Sequence, residues 1–504
     1  MRNGGYPIVL TAERTLMAEY AVLFDGMMGT IQTTSVPEPI MRTMIAPPVP
    51  TDGVTAQKAP LGLRRIEAAL VNDGFDRGDV VVCAPEALDR CIGPNTRVVA
   101  VSSSDPLGRG MANSTMIHMA GGRLYTRTWY ARLLRQIKRH KARIPFEVVA
   151  GGAGTWQLIQ NARVRRDLGI DACIGGYAEG QVGGWFRRLA AGETLPAVLA
   201  ANGVNGNTIP AIHGASSMGA VELSRGCGKG CHFCTMAAER LVHLPVATIV
   251  ADVEANLARG AGSICALSED FFRYGAGPSQ AVDPPRLKTL LSRLRQIKTL
   301  RLIQIDHANV TSVAQYSDDD LREVHDLLVD GQRHDYLWVN LGVESASGEL
   351  LEQNQLDGKI HPFAPQQWGE LCETQVRRLV RTGYFPMISL IMGLPGETPE
   401  HVAATVRWIE RLSRERLVVF PIFYTPVSGG TQRAFTIDDM TPMHWRLYRL
   451  AYNLNFKWIP RMYWDNQTGA GAPLWRRLLI QTAGRLQTLQ WRARFVQKSR
   501  RLFA

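Results

Sequence analysis

The segment Cys227-Gly-Lys-Gly-Cys231-His-Phe-Cys234 places three cysteines on one short loop directly after a predicted strand. Three thiolates in this C-x3-C-x2-C spacing can ligate three irons of a 4Fe-4S cluster and leave the fourth iron without a protein ligand. Gly228 and Gly230 allow the loop to wrap closely, because glycine tolerates positive φ angles. The segment therefore predicts an iron-sulfur site whose open iron holds a substrate or cofactor.

Two alternatives explain these cysteines less well. A structural zinc ion normally takes four ligands, often as two pairs, and the sequence has no second pair; only His232 offers a fourth ligand within the loop. A ferredoxin-like electron carrier would need a fourth cysteine. The other cysteines lie apart in apolar or helical surroundings and are interpreted as buried thiols: Cys83, Cys91, Cys173, Cys265 and Cys372.

Strand-like and helical patterns alternate around the cysteine loop, from about residue 216 to residue 434. Six apolar runs are separated by segments with helical spacing, which is the pattern of a partial (β/α)6 barrel of parallel strands. The predicted strands cover residues 219–224, 263–267, 300–305, 336–341, 385–392 and 417–424. A basic helical region is expected over residues 435–504.

An earlier alternating series covers residues 61–200. Continuous apolar strands separated by helices predict an α/β, Rossmann-like domain with a parallel sheet and helices on both faces. Its glycine-rich strand ends, Gly151-Gly-Ala-Gly154 and Gly175-Gly176, fall where such sheets bind ligands. Residues 201–215 are rich in Gly, Asn and Pro and are predicted to link the two domains. Residues 1–60 are set apart as an N-terminal extension without an assigned role.

The motifs that follow the cysteine loop resemble, in type and order, those of the radical S-adenosylmethionine (SAM) superfamily. Ser224-Arg-Gly-Cys227 looks like the family's entry into the loop, and Phe233 stands at its aromatic position. Three later segments resemble the family's acidic strand end, its G-x-E-S segment and its G-L-P-G-E-T turn, namely Ser268-Glu-Asp-Phe-Phe272, Gly342-Val-Glu-Ser345 and Gly393-Leu-Pro-Gly-Glu-Thr398.

This resemblance implies a 4Fe-4S cluster on Cys227, Cys231 and Cys234, with the amino and carboxylate groups of SAM on the open iron. The residues that it implies for SAM binding are Phe233, Glu269, Asp270, Glu344 and Ser345. Taken alone, Glu344, Glu269 and Asp270 are better explained as ordinary charged strand ends, but their order after the cysteine loop favours the SAM site. The turn at residues 393–398 would be mainly structural, and Gly429-Gly-Thr431 resembles the family's closing loop near the substrate pocket.

Residues 61–185 resemble the cobalamin-binding domain that precedes many radical SAM domains. The D-x-H-x-x-G motif with its cobalt-binding histidine is absent, and the corresponding loop reads Asp105-Pro-Leu-Gly-Arg-Gly110. Either the domain holds cobalamin without a histidine ligand, as similar enzymes do, or it binds nothing or docks a substrate at the same strand ends. The resemblance implies that cobalamin would lie against Ser102, Ser103, Ser104, Gly151, Gly152, Gly154 and Thr155.

The formal charge of +12 favours anionic partners, but much of the excess lies after Asp465, where no further carboxylate occurs. Residues 475–503 combine basic residues with apolar positions at helical spacing and predict an amphipathic basic helix. This helix either covers the barrel or lies on an anionic membrane surface. No transmembrane helix or secretory signal is expected, and the sequence predicts a cytoplasmic protein.

The resemblance implies that the reduced cluster cleaves SAM to a 5′-deoxyadenosyl radical, which abstracts a hydrogen from the substrate. The leading expectation is a cobalamin-dependent methyltransferase acting on a specialised metabolite or lipid, with a flavodoxin or ferredoxin as electron donor. The rivals are transfer of a 3-amino-3-carboxypropyl group to a heteroatom such as trivalent arsenic, tRNA methylthiolation, and a non-catalytic iron-sulfur or corrinoid carrier. Nucleic acid is not an expected partner, because the positive charge is a property of one segment.

Overall fold

The computed structural model describes residues 4–203, 205–236, 239–277, 281–331, 334–427 and 432–503, with side chains up to residue 499 in the last helix. The chain divides into two compact units, Met1–Val221 with Leu244–Ala261, and Glu222–His243 with Gly262–Ala504. Each unit combines parallel strands with helices, so the predicted α/β class is confirmed.

The first unit is built on a six-stranded sheet in which all neighbouring strands are parallel. The strands are short apolar runs, as expected for a sheet covered on both faces. Numbered along the chain, their order across the sheet is 2-1-3-4-5-6, which is a doubly wound arrangement. Across the sheet the strands are Val80–Val82, Ile8–Ala12, Val98–Ser102, Glu147–Gly151, Ala172–Gly175 and Val198–Ala200.

Two apolar cores, one on each side of this sheet, hold the helices in place. Ile8 and Leu10 belong to one core, whereas Val9 between them belongs to the other, because successive side chains of a strand point to opposite faces. The helices of the unit are Leu23–Thr30, Leu61–Asn72, Met111–Ala120, Tyr125–Lys141, Thr155–Ile159, Ala162–Asp167, Val182–Ala190 and Val246–Leu257.

The structure corrects the predicted boundaries of this unit. Residues 1–60 are not a separate extension, because Ile8–Ala12 pairs with both Val80–Val82 and Val98–Ser102 inside the sheet. Helix Val246–Leu257, expected in the second domain, also belongs to the first unit. Asp252 on this helix forms a buried ion pair with Arg65, with Nη2 and Oδ2 2.5 Å apart. Such a buried pair fixes the helix by a long-range contact that local sequence patterns do not reveal.

The second unit alternates parallel strands with helices, close to the predicted bounds. Ser263–Leu267 pairs with Leu302–Ile305, and four further strands form a second parallel sheet, His307–Ala308, Leu337–Glu344, Tyr384–Met392 and Val418–Phe423. These strands therefore belong to two sheets, and Asp306 lies between the last strand of one and the first strand of the other. The single six-stranded barrel remains a prediction. The helices that alternate with them are Pro284–Arg295, Asp318–Val329, Trp368–Arg381 and Pro399–Leu412.

Two long helices, Pro442–Gly469 and Leu474–Phe503, complete the second unit. Thr441 caps the first of them by accepting a hydrogen bond from the backbone N–H of His444, and Pro442 stands at the first helical position. Within the described part of the chain, no helix has both the length and the apolar character needed to cross a bilayer.

Candidate functional site

The cysteine loop begins after the two-residue strand Ser224–Arg225, which pairs antiparallel with Val242–His243. Gly226, Gly228 and Gly230 have φ angles of 78°, 69° and 74°. A Cβ at Gly226 would lie 2.4 Å from the carbonyl oxygen of Arg240, so only glycine fits there. The backbone N–H of Cys227 donates to the Glu239 carbonyl at 3.0 Å and fixes the first cysteine where the loop starts.

All three predicted cluster ligands lie on this loop. Cys231 is buried, whereas Cys227 and Cys234 are half-buried. Burial raises the pKa of Cys227 to about 11, and the nearby Asp270 acts in the same direction. Burial also raises the pKa of Cys231. The loop therefore places the thiols in an environment where they need neighbouring positive charge to become thiolates.

Two buried lysines supply that positive charge. Lys229 opposes the rise in the pKa of Cys227, and Lys359 opposes the rise in the pKa of Cys231. Burial lowers the pKa of Lys229, whose Nζ lies 3.2 Å from the Thr311 hydroxyl. Sequence reasoning missed both lysines, because neither stands in a motif that marks it as part of a site.

Lys359 forms a buried ion pair with Glu344. Although burial acts to lower the pKa of Lys359, Glu344 and the Cys231 thiol raise it, so the ammonium form is strongly favoured. Glu344 ends a strand with φ of 62°, an unusual backbone conformation for a side chain of this size. A Cβ at Gly342 would lie 2.4 Å from Glu344 Oε1 and 2.5 Å from Lys359 Nζ, so this glycine makes room for the pair.

The acidic strand end divides into two different roles. Asp270 is buried and accepts hydrogen bonds from the backbone N–H of Asn309 at 3.1 Å and from the Ser312 hydroxyl at 2.5 Å. Burial raises its pKa, and Lys229 opposes that rise. Glu269 stays half-buried, and burial raises its pKa as well. Of the two predicted residues, Asp270 has its carboxylate held by these two hydrogen bonds, whereas Glu269 has the more accessible carboxyl group.

Ser345 and Phe233 are both buried in the second unit. The Ser345 hydroxyl accepts from the backbone N–H of Ser347 at 3.2 Å, and its carbonyl accepts from Trp368 Nε1 at 3.0 Å. These contacts favour a structural role for Ser345. The Phe233 ring packs edge-on against His232, whose Nδ1 lies 2.8 Å from the carbonyl oxygen of Asn354.

The predicted turn after Met392 has the structural role that its resemblance implied. Gly393 has φ of 79°, and its backbone N–H donates to Glu397 Oε2 at 2.8 Å. The same carboxylate lies 2.8 Å from His444 Nε2 and thereby ties the turn to helix Pro442–Gly469. The predicted closing loop, Gly429 to Thr431, lies outside the described residues.

A chain of polar side chains crosses neighbouring strands of the second unit. Ser389 Oγ donates to Asn340 Oδ1 at 2.9 Å, Asn340 Nδ2 lies 2.6 Å from His307 Nε2, and His307 Nδ1 lies 2.9 Å from Asp306. Burial acts to lower the pKa of His307, but Asp306 raises it to about 9, so the protonated ring is favoured at neutral pH. All four residues are only partly buried, although they stand between apolar strand residues.

The residues predicted to surround cobalamin lie at the carboxyl ends of two adjacent strands in the first unit. The backbone N–H of Gly154 donates to the Ser103 carbonyl at 3.0 Å, and Thr155 Oγ1 donates to the Gly152 carbonyl at 2.7 Å. A Cβ at Gly152 would lie 2.6 Å from Ser102 Oγ. As placed, these loops pack on each other, and cobalamin binding stays a prediction.

Asp105 holds one of these loops closed. Its carboxylate accepts hydrogen bonds from the backbone N–H groups of Arg109 and Gly110 at 2.8 and 3.0 Å, from Asn113 Nδ2 at 2.6 Å and from Gln157 Nε2 at 2.5 Å. In the loop Asp105-Pro-Leu-Gly-Arg-Gly110, Leu107 stands at the position of the cobalt-binding histidine, and Asp105 organises the backbone.

Glu13, which follows the strand Ile8–Ala12, was missed together with that strand. It is fully buried, and its Oε2 has no hydrogen-bond partner within the described part of the chain. Burial raises its pKa to about 8. The sequence signal for this residue was its position directly after the strand-like run that begins at Pro7 and leads to Glu13.

The described residues include no group of three or more His, Cys, Asp or Glu side chains close enough to hold one metal ion. In a 4Fe-4S cluster each thiolate binds a different iron, so the ligands of a cluster lie farther apart than those of a single ion.

Comparisons with known proteins place the cysteine loop in a recognised domain. The family model of the Radical SAM superfamily matches residues 221–409. Ribosomal protein uS12 methylthiotransferase RimO of Bradyrhizobium sp. (strain ORS 278) is 28% identical over 220 residues, which is 42% of this chain and 46% of that protein. A tRNA-2-methylthio-N(6)-dimethylallyladenosine synthase of Magnetococcus marinus (strain ATCC BAA-1437 / JCM 17883 / MC-1) is 25% identical over 257 residues, 51% of this chain and 55% of that protein.

The chain thus spans about half the length of the curated relatives it matches. Among solved structures, methylornithine synthase aligns with a TM-score of 0.31 and 16% identity, over 50% of this chain and 68% of that one. This similarity is too low to extend any property of that enzyme to the present protein. The family match and the ordered motifs around Cys227, Cys231 and Cys234 together show that this chain contains a radical SAM domain.

Proposed function

We propose that this protein is a radical SAM transferase that binds a 4Fe-4S cluster on Cys227, Cys231 and Cys234. The observation that carries the proposal is the glycine-lined loop that brings the three cysteines together inside the matched domain, beside the buried Lys229 and Lys359. When bound and reduced, the cluster supplies the electron that breaks a carbon–sulfur bond of SAM.

The loop fits such a cluster in chemistry and in space. Thiolates are the ligands that iron-sulfur clusters take, and three of them leave one iron open. A Cβ at Gly230 would meet nothing within 4 Å, and one at Gly228 nothing nearer than 3.9 Å, so the loop leaves room around its thiols. Lys229 and Lys359 stabilise the thiolate forms that the cluster requires.

The residues of the second unit also provide groups that orient a polar ligand. Glu269 is proposed to bind a positively charged group of SAM, because it is the accessible carboxyl group of the acidic strand end. Glu344 forms an ion pair with Lys359, and its proposed role is to position that lysine. The chain from Ser389 to Asp306 is proposed to hold polar groups of the substrate, with His307 and Asp306 as its titratable members.

Methyl transfer to a specialised metabolite or lipid is the proposed reaction, with a flavodoxin or ferredoxin as the electron donor. The doubly wound sheet of the first unit supports this choice, because its layout resembles that of cobalamin-binding domains. Since the predicted contact residues pack on one another, no step of the reaction is assigned to cobalamin. Retention of corrinoid by the full chain after incubation with hydroxocobalamin and gel filtration tests this part, and its absence would remove the cobalamin-dependent reaction.

Methylthiolation is the second candidate, because the curated relatives matched over the radical SAM domain include methylthiotransferases. The sequence does not arrange Cys83, Cys91 and Cys173 like the N-terminal triad of that family. In the structure Cys83 and Cys91 interact, and all three are buried in one apolar core. A second iron-sulfur cluster, measured as about twice the iron expected for one cluster, would favour this candidate.

Anaerobic reconstitution with iron and sulfide, followed by mass spectrometry of the SAM products, tests the proposal. The wild-type protein should show iron-sulfur absorbance, and Cys231→Ala should lose it. The matched control is Cys372→Ala, which removes a buried thiol from helix Trp368–Arg381 and should keep the cluster. A Cys231→Ala protein that retains the cluster would contradict the assignment.

The nucleoside product separates the possible reactions. Release of 5′-deoxyadenosine from reduced protein and SAM supports radical cleavage. Release of methylthioadenosine supports transfer of the 3-amino-3-carboxypropyl group to a heteroatom acceptor such as trivalent arsenic. A loaded protein that yields neither product would indicate an iron-sulfur carrier and would overturn the proposed enzyme function.

A further inference from the structure

The last helix, Leu474–Phe503, has two apolar faces of which only one is packed. Trp491 and Phe495 are buried against aromatic residues of the preceding helix, and the Phe495 ring centroid lies 4.8 Å from that of Tyr452. These contacts fix which side of the helix faces the protein. Trp491 and Phe495 thus pack on helix Pro442–Gly469, whereas the apolar stripe that predicted the helix does not.

The stripe itself is exposed. Of the ten large hydrophobic side chains that are exposed among the described residues, seven lie in this helix. Their exposed fractions run from 47% to 68%, and at 3.6 residues per turn all of them except Leu474 fall within an arc of about 100°, roughly opposite Trp491 and Phe495. The residues that define this exposed face are Trp475, Leu478, Leu479, Leu486, Leu489 and Val496. Clusters of this kind mark interaction surfaces.

The charge around the exposed face has one sign. Residues 466–504 contain eight arginines and lysines and no aspartate or glutamate. On the helical repeat, Arg485 and Arg492 border one edge of the exposed face, and Arg476 and Arg494 follow its other edge. Long basic side chains beside an apolar stripe can extend their charged ends toward lipid head groups while the stripe enters the acyl region.

We propose that this face docks the protein onto a membrane surface rich in anionic lipids. A second copy of the chain is a poorer occupant, because the same face would bring two sets of positive charge together. A nucleic acid would match the charge but would leave the leucines and Trp475 in water. Arg485 and Arg492 beside the stripe also explain why the helix lies on the bilayer and does not cross it.

The full-length protein should float with vesicles of equimolar phosphatidylcholine and phosphatidylglycerol, and not with vesicles of phosphatidylcholine alone. Raising the salt concentration should weaken binding, because part of the attraction is electrostatic. The double substitution Leu486→Glu with Leu489→Glu should weaken partitioning about a hundredfold, since two apolar side chains lose their place in the bilayer. Arg485→Gln should weaken it by less, about fivefold.

Val246→Glu is the matched control, because Val246 is also an exposed hydrophobic residue but lies at the start of another helix. This variant should bind vesicles like the wild type. The far-ultraviolet circular dichroism of every variant should be unchanged, since the altered side chains are exposed. The docking does not depend on the proposed reaction, so both can be tested separately.

A second measurement follows Trp475 directly. Its fluorescence should shift to shorter wavelength when anionic vesicles are added, and the difference should disappear in Trp475→Phe. Equal binding to neutral and anionic vesicles, or binding that survives the double substitution, would overturn the proposal. A dimer detected by light scattering that the double substitution converts to monomer would assign the face to a second copy and would likewise overturn it.

Discussion

The two units of this protein place polar residues at the ends of parallel strands but use them in different ways. In the first unit the carboxylate of Asp105 is satisfied by four N–H donors, and the neighbouring glycine loop packs on the serine loop. In the second unit Glu344 is paired with Lys359 next to the cysteine loop, and His307 is only partly buried. At the first edge the polar groups form hydrogen bonds with one another, whereas the second edge presents charged groups beside the cysteine thiols.

This difference shows that sheet type alone does not identify a site. Parallel sheets bind ligands at their carboxyl edges, and both units have such an edge. What distinguishes the second edge is that a buried ion pair, Glu344 with Lys359, lies beside the cysteine loop. The following substitutions test whether the two edges differ as described.

Lys359→Met should have the largest effect. It leaves Glu344 buried without its partner, and breaking a buried ion pair costs about 3–5 kcal/mol. We expect a lower midpoint of thermal unfolding and poor incorporation of the cluster, because Cys231 also loses its positive neighbour. Lys288→Met is the control, because Lys288 pairs with Asp320 and Glu323 at a more exposed place. A Lys359→Met protein as stable as Lys288→Met would show that the pair is not needed.

Glu13→Gln should stabilise the protein at high pH. The folded state keeps the Glu13 proton up to a pKa of about 8, whereas the unfolded chain loses it near 4.5, so stability is lost as the pH rises between these values. The loss amounts to about 5 kcal/mol, and the glutamine variant lacks it. Since its buried, unpaired amide costs about 2 kcal/mol, the variant should exceed the wild type above pH 8 by about 3 kcal/mol. Unfolding midpoints measured from acidic to alkaline pH check this, and a constant difference would refute it.

Asp105→Asn should destabilise the first unit by roughly 2 kcal/mol, because an NH2 group replaces one carboxylate oxygen. This group cannot accept hydrogen bonds from the N–H donors that face it. Hydrogen exchange of residues 103–113 should accelerate, while the cysteine loop should be unaffected. Asp76→Asn serves as the control, since exposed Asp76 accepts one bond, from Gly78 N–H at 2.6 Å. Equal exchange in both variants would mean that Asp105 does not hold the loop closed.

Ser389→Ala should have the smallest effect, a loss of about 1 kcal/mol or less, because its partner Asn340 is only half-buried and water can replace the hydroxyl. Chemical denaturation is the measurement. Thr382→Val is a useful comparison, because the Thr382 hydroxyl is buried and donates to the Arg378 carbonyl at 2.9 Å. If Ser389→Ala costs clearly more than Thr382→Val, the polar chain contributes to the fold and is not reserved for a ligand.

Local sequence patterns were sufficient for most elements of the second unit. Strand Ser263–Leu267 has the predicted bounds, because the apolar pattern and burial agree there. Patterns failed where a contact joins distant segments. Ile8–Ala12 looked like the start of an extension because its partners, Val80–Val82 and Val98–Ser102, are far along the chain.

The candidate site shows the same division. The three cysteines and the order of acidic and glycine motifs were readable, because their spacing reflects the chemistry of one loop and of successive strand ends. Lys229 and Lys359 were not, because a lysine gains meaning only when its surroundings exclude water. The roles of Glu269 and Asp270, adjacent in sequence, were separated only by the bonds that Asn309 and Ser312 donate to Asp270.

The sequence by itself determined the α/β class, the position of the cysteine loop and the amphipathic character of the last helix, because these depend on residue type and spacing over short distances. Only the tertiary structure decided that Glu344 is paired with Lys359, that the cobalamin-like loops pack on each other, and that the leucine face of the last helix remains exposed. These properties depend on burial, which arises only when segments distant in sequence come together.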